Sequence, residues 1–133
     1  MAIAILVSAL LAFALGWLWY SPKLFGNTWH EAIGKPVGDP KESFAKYLVT
    51  FTGWLIAAFV YSFLISNPYI VGVRDYLFLS VALWGAYMMP AKAHAIMWGD
   101  FNTKLLWIDG GYMLLGYLIM GLVFGVMMPG ISQ

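Results

Sequence analysis

The sequence predicts an all-α integral membrane protein: four transmembrane helices plus a short interfacial amphipathic helix after the first, in one domain covering residues 1–133. Three observations predict it. Hydrophobic residues make up 62% of the chain and charged residues 10%, where an ordinary soluble domain has ~45–50% and ~25%. A globule of 133 residues has too much surface for its volume to hide that apolar load. The apolar residues also gather in runs close to the ~20 needed to cross ~30 Å of hydrocarbon as helix. Helices are the economical form, because each satisfies its own backbone polar groups in lipid. A membrane β-barrel would need strict alternation, which these runs lack.

The first span covers residues 2–20 and holds no charged side chain. It lacks the basic start of a secretory signal, and its end at Trp17, Trp19 and Tyr20 suits an interfacial anchor better than a cleavage site, so it reads as retained. Ser21-Pro22 then reads as an N-cap with proline in the first helical turn. Over residues 22–33 an apolar face of Leu24, Phe25, Thr28, Trp29, Ala32 and Ile33 opposes Lys23, Asn27, His30 and Glu31. Gly34 stops this helix, which is expected to lie in the interface plane with His30 solvated on its polar face. Asp39-Pro40-Lys41-Glu42 reads as the capped opening of the second span, residues 44–66, which Asn67-Pro68 closes. Arg74-Asp75 leads into the third span, residues 76–98, where Pro90 is expected to kink the helix. The fourth covers residues 104–128.

Lysines set the expected orientation. Lys23, Lys35, Lys41, Lys46 and Lys104 fall on the side of the first and third loops, whereas the other side has Arg74 and the α-amino group. The positive-inside rule then places both termini outside a cytoplasmic (inner) cell membrane and the first loop in the cytoplasm.

Several function classes are excluded or weakened. A net charge of +1 supplies no field for nucleic acid. The absence of cysteine removes disulfides, zinc-thiolate sites, iron–sulfur clusters and thiol catalysis. Two histidines, His30 and His94, are too few for a multi-histidine metal centre, so no metal is expected. No phosphate-binding glycine loop, serine nucleophile elbow or His-Glu-x-x-His motif is present, and the chain is not read as an enzyme.

Two motifs carry a family resemblance. Gly16-Trp17-Leu18-Trp19-Tyr20-Ser21-Pro22-Lys23-Leu24-Phe25-Gly26 with Trp29, and Leu106-Trp107-Ile108-Asp109-Gly110-Gly111-Tyr112 followed by Leu114-Leu115-Gly116 and Met120-Gly121, stand near the two ends of the chain. They resemble the opening and closing motifs of a small membrane-protein family known as domain of unknown function 1761. The resemblance implies a four-span protein of bacterial or archaeal type and carries no activity with it.

The sharpest local feature is an intramembrane polar cluster, Lys92, His94 and Asp109. Lys92 and Asp109 lie equally far from a turn near residues 100–102, which in an antiparallel hairpin places both ~10 Å in from that turn. A charge in lipid costs at least ~2.5–3.5 kcal/mol, so a Lys92–Asp109 contact is expected. The bland alternative has Lys92 snorkelling to the interface and Asp109 bonding locally. His94 beside Met97 and Trp98 could ligate a haem or chlorin or shuttle a proton, but a lone histidine there is more often a hydrogen-bonded interfacial residue. No cofactor is expected.

Small residues recur every four positions at Ala4, Ser8, Ala12 and Gly16, at Gly53 and Ala57, and at Gly121 and Gly125. Such helix-packing seams let backbones approach closely, within one chain or, with Ala4-Ser8-Ala12-Gly16 the best candidate, against a neighbouring chain. Trp17, Trp19, Trp29, Trp98 and Trp107 read as interfacial anchors rather than ligand cages. The pairs Met88-Met89 and Met127-Met128 read as gap fillers rather than a Cu(I) site.

Two functions follow as expectations. The first is a structural or accessory module, packed among membrane lipids in a homo-oligomer or larger membrane complex. The alternative is a small-solute, ion or proton permease with a polar path at Lys92, His94 and Asp109.

Overall fold

Each apolar run coils into helix, and the computed structural model describes residues 1–35 and 44–128. Its elements are α1 (Ala2–Trp19), α2 (Gly26–Ile33), α3 (Phe44–Leu64), α4 (Gly72–Leu83), a π-helical turn (Trp84–Met88), α5 (Met89–Trp98) and α6 (Lys104–Met127). No strand occurs among the described residues. The Asp39-Pro40-Lys41-Glu42 opening expected for α3 lies outside them.

Among the described residues three helices, α1, α3 and α6, are long and apolar enough to cross a membrane, not four. The expected third span is divided. Proline at position 90 has no N–H, and its ring crowds the carbonyl one turn back at Ala86. The helix widens just before it, and the Met89 N–H donates to the Trp84 carbonyl five residues back. The disturbance sits upstream of Pro90, as a wide turn over Trp84–Met88. The backbone on both sides keeps right-handed helical angles, with Leu83 at φ −63°, ψ −44° and Met89 at φ −66°, ψ −46°.

The loops are short and locally tied. Gly34 ends α2 in the left-handed conformation at φ 69°. After α3, the Asn67 carboxamide accepts from the Tyr69 N–H at 3.0 Å, and Gly72 (φ 83°) turns the chain into α4. Asp75 Oδ2 accepts from the Val71 N–H at 2.9 Å, closing the start of α4. Asp100 takes a positive φ of 52° between α5 and α6, which a short polar side chain tolerates. The first connection departs from expectation. Ser21 Oγ donates back to the Leu18 carbonyl at 2.7 Å instead of capping forward, and helix α2 starts only at Gly26.

Helix α6 is the spine of the fold. Helix α1 packs along one side of it, antiparallel, and α4, the π turn and α5 pack along another. Helix α3 packs mainly on α1 and touches α6 only slightly. The spine accepts its neighbours through glycines. A side chain grown at Gly110 would strike Met89, at Gly111 Trp19, at Gly116 Trp54, at Gly121 Ser80 and Tyr61, and at Gly125 Val73. Helix α6 thus carries a row of sockets, filled from α1, α3, α4 and α5. Gly121 and Gly125 serve the α4 contact.

The seam on α1 also faces inward. Ala4, Ser8 and Ala12 are buried within this one chain, and Gly16 is where the Tyr112 hydroxyl passes. Of the two readings of this stripe, packing within one chain is the one its burial matches, its contact face being used by α3 and α6. Gly53 behaves differently. Nothing lies within 4 Å of the place its side chain would occupy.

Candidate functional site

The opening and closing motifs meet at Asp109. This carboxylate sits on the first turns of α6, and 9% of its side chain is exposed. Its Oδ2 lies 2.6 Å from Lys92 Nζ. Its Oδ1 accepts from the Tyr20 hydroxyl at 2.6 Å and from the Trp29 indole N–H at 3.1 Å. Three donors from α5, the end of α1 and α2 thereby converge on one buried anion. A charge held among apolar helices needs this much compensation.

Neighbouring bonds hold the donors in place. Trp19 Nε1 donates to the Ile108 carbonyl at 2.9 Å and Trp84 Nε1 to the Gly110 carbonyl at 2.8 Å, bracketing Asp109 from α1 and from the π turn. Deeper, Trp54 Nε1 donates to the Tyr112 hydroxyl at 2.6 Å, and that hydroxyl donates on to the Ala12 carbonyl at 3.0 Å. Gly26 is required where the chain doubles back, since any side chain there would collide with the Tyr20 and Ser21 backbone.

Beside this network lies a cavity of about 1010 Å³, open on one side. Its wall includes Tyr20, Trp29, His30, Lys46, Trp54, Lys92, Asp109 and Tyr112. The cavity is walled from α3 by Lys46, Thr50, Gly53 and Trp54, and from the π turn and α5 by Met88 and Lys92. At the opposite end the two halves are tied: the Tyr61 hydroxyl donates to the Tyr76 carbonyl and lies 2.9 Å from Ser80 Oγ. Ser80 Oγ also reaches the Tyr117 carbonyl at 2.7 Å. The space is a wedge, joined at the Tyr61 end and open at the Lys46 end.

Several sequence expectations are redrawn by this geometry. Lys92 and Asp109 are brought together; His94 is not with them. Two residues apart on a helix means ~200° around its axis, and His94 is exposed, its ring beside Trp98 with centroids 5.9 Å apart. Trp19 and Trp29 differ from the other tryptophans read as anchors. Both turn their N–H groups into the bundle, whereas Trp17, Trp98 and Trp107 are 68%, 81% and 70% exposed on its outside. His30 is not simply solvated either: its Nδ1 is buried without a hydrogen-bond partner, and the ring borders the cavity. Helix α2 accordingly packs down on α6.

Sequence reasoning did not single out Tyr20 and Trp29 as ligands of Asp109, nor Tyr112 as the link between α1, α3 and α6. The available signal was the pair of motifs itself, since polar aromatics around invitingly small Gly16 and Gly26 have few other uses in lipid.

Comparison with known families matches residues 3–125 to the family described as "Protein of unknown function (DUF1761)". No curated protein and no solved structure matches the chain.

Proposed function

The chain belongs to the DUF1761 family, and from that premise and the geometry above we propose that it is a four-span membrane protein that takes a small molecule from the bilayer into the cavity beside Lys92 and Asp109. The observation that carries this reading is the cavity itself, about 1010 Å³ beside the Lys92–Asp109 ion pair. Chambers of roughly 300–1,000 Å³ are the size at which proteins hold small ligands. Helices that had only to pack would close such a gap, yet Gly53 faces it with no side chain at all.

The fourth span is the composite of α4, the π turn and α5. Residues 72–98 would extend ~40 Å at ~1.5 Å per residue, enough to cross hydrocarbon. Wide π turns of this kind gather at functional positions, and here Met88 from that turn borders the cavity. Both termini lie outside the cytoplasmic membrane, and the first and third loops lie inside, following the lysine bias.

Two experiments test the reading. The chain has no cysteine, so Lys35→Cys, Asp100→Cys and Tyr69→Cys can be labelled singly with a membrane-impermeant thiol reagent. The first two should react from one face and the third from the other; labelling of all three from the same face refutes four spans. For the cavity, protein purified from its membrane should carry a small molecule enriched over bulk lipid, and Gly53→Phe should lose it while the helix content stays. Equal enrichment in the variant removes the cavity from consideration.

A permease is the second reading, favoured by the charged pair at the wall of an open wedge. The Tyr61–Tyr76 tie closes the far end, so transport requires that tie to break. Flux in proteoliposomes that survives Asp109→Ala excludes it. An accessory role in a homo-oligomer or larger complex loses its best support, because the α1 seam is consumed within the chain.

A further inference from the structure

The chemistry lining the two ends of the wedge differs, and the difference specifies a ligand. At the open end, the described acidic, lysine and histidine side chains that border the cavity are His30, Lys46, Lys92 and Asp109. Asp109 is already occupied on both oxygens, by Lys92 on one and by Tyr20 and Trp29 on the other, so it has little to offer a cation. Lys92 gives one N–H to that carboxylate, and an ammonium carries three. Its side chain keeps 30% exposure. Lys46 adds a positive charge across the wedge from α3, and among the described lining residues no second carboxylate balances it. His30 Nδ1 adds a buried nitrogen that has no partner.

Away from these donors the lining turns apolar. Phe13, Gly53, Trp54, Ala57, Met88 and Tyr117 follow on from the charged end. A smaller cavity of about 310 Å³ shares Ala57, Met88 and Tyr117 with the first and runs on to Leu64 and Leu83. From Lys92 back to Leu83 the helix rises ~13 Å at ~1.5 Å per residue. A donor-rich mouth thus leads into an apolar slot of medium acyl-chain length.

Resting on the reading of this wedge as a binding cavity, we propose that its ligand is an anionic single-chain amphiphile, a carboxylate or phosphate on one hydrocarbon tail. The headgroup takes the remaining donors of Lys92 and the Lys46 ammonium, beside the His30 ring at the wall, and the tail lies between α3 and the π turn. A cationic amphiphile would meet net positive charge at the mouth.

Trp17, Trp29 and Trp54 border the cavity, so a bromine-tipped tail entering it should quench tryptophan fluorescence. The full chain in neutral-lipid nanodiscs is titrated with bromine-tipped undecanoate, undecyl phosphate, undecanol and undecyltrimethylammonium. Saturable quenching by either anion, at least about tenfold tighter than by the alcohol and the cation, is the expected result. Whichever anion is tighter identifies the headgroup source, free carboxylate or phosphate ester. Lys46→Glu, on an exposed position, should weaken the anion about tenfold or more with unchanged helix content. Equal binding of alcohol and anion, or no effect of Lys46→Glu, overturns the charge preference. If that quenching still disappears in Gly53→Phe, the cavity reading survives alone; if no amphiphile quenches saturably, both fail.

Discussion

Replacing both partners of the Lys92–Asp109 pair should harm the protein less than replacing either. Lys92→Met leaves a carboxylate that is 9% exposed with only its Tyr20 and Trp29 donors, at a cost of about 2 kcal/mol. Asp109→Leu leaves an ammonium without an anion and orphans both aromatic donors. Breaking a buried pair costs about 3–5 kcal/mol. Because 30% of the Lys92 side chain reaches open space, the lower half of that range applies. In the double variant no charge remains and only the two aromatic donors are unpaired, at about 1–2 kcal/mol together. The singles sum to about 5–6 kcal/mol, so the cycle should show a coupling of about 3 kcal/mol or more. Unfolding of the four proteins by titration with sodium dodecyl sulfate in mixed micelles, followed by circular dichroism, measures it. A coupling under about 0.5 kcal/mol, the scatter of independent sites, would refute the view of Asp109 as a charge that requires its partner.

Other outcomes follow from the sockets on α6. Gly125→Val drives a branched side chain into Val73 of α4 and should cost about 1–3 kcal/mol in the same assay. Gly53→Ala meets nothing within 4 Å and should be neutral or stabilising by up to about 1 kcal/mol, through backbone entropy alone. Trp54→Phe keeps most of the ring over Gly116 but removes the donor to Tyr112, and should cost about 1 kcal/mol. Trp98→Ala, on the outside of the bundle, should leave stability within about 0.5 kcal/mol.

Much of this architecture was legible. Long apolar runs gave α1, α3 and α6, and nearly equal spacing from the residue 100 turn set Lys92 opposite Asp109. The π turn was not legible, because one extra residue in a hydrogen-bonded ring leaves hydropathy unchanged and Pro90 marks only its neighbourhood. Tryptophan roles were hidden for a different reason. An indole near a helix end looks the same whether its N–H meets water at an interface or, as at Trp19, a carbonyl on another helix. For the stripe Ala4-Ser8-Ala12-Gly16, spacing says that something comes close and is silent on whose backbone it is. The exclusion of His94 from the Lys92 side followed from helical angle and could have been drawn from the sequence.

The bonds Tyr20–Asp109 and Trp19–Ile108 each bridge 89 positions of chain. A ribosome delivers the donors long before their acceptors, so α1 must wait, its polar aromatics provisionally solvated, until α6 arrives. Closure of the Asp109 network therefore awaits the synthesis of α6. A nascent chain stalled before Asp109 would display Tyr20, Trp29 and Lys92 unmet, which is the kind of polar exposure that membrane proteases and insertases act upon.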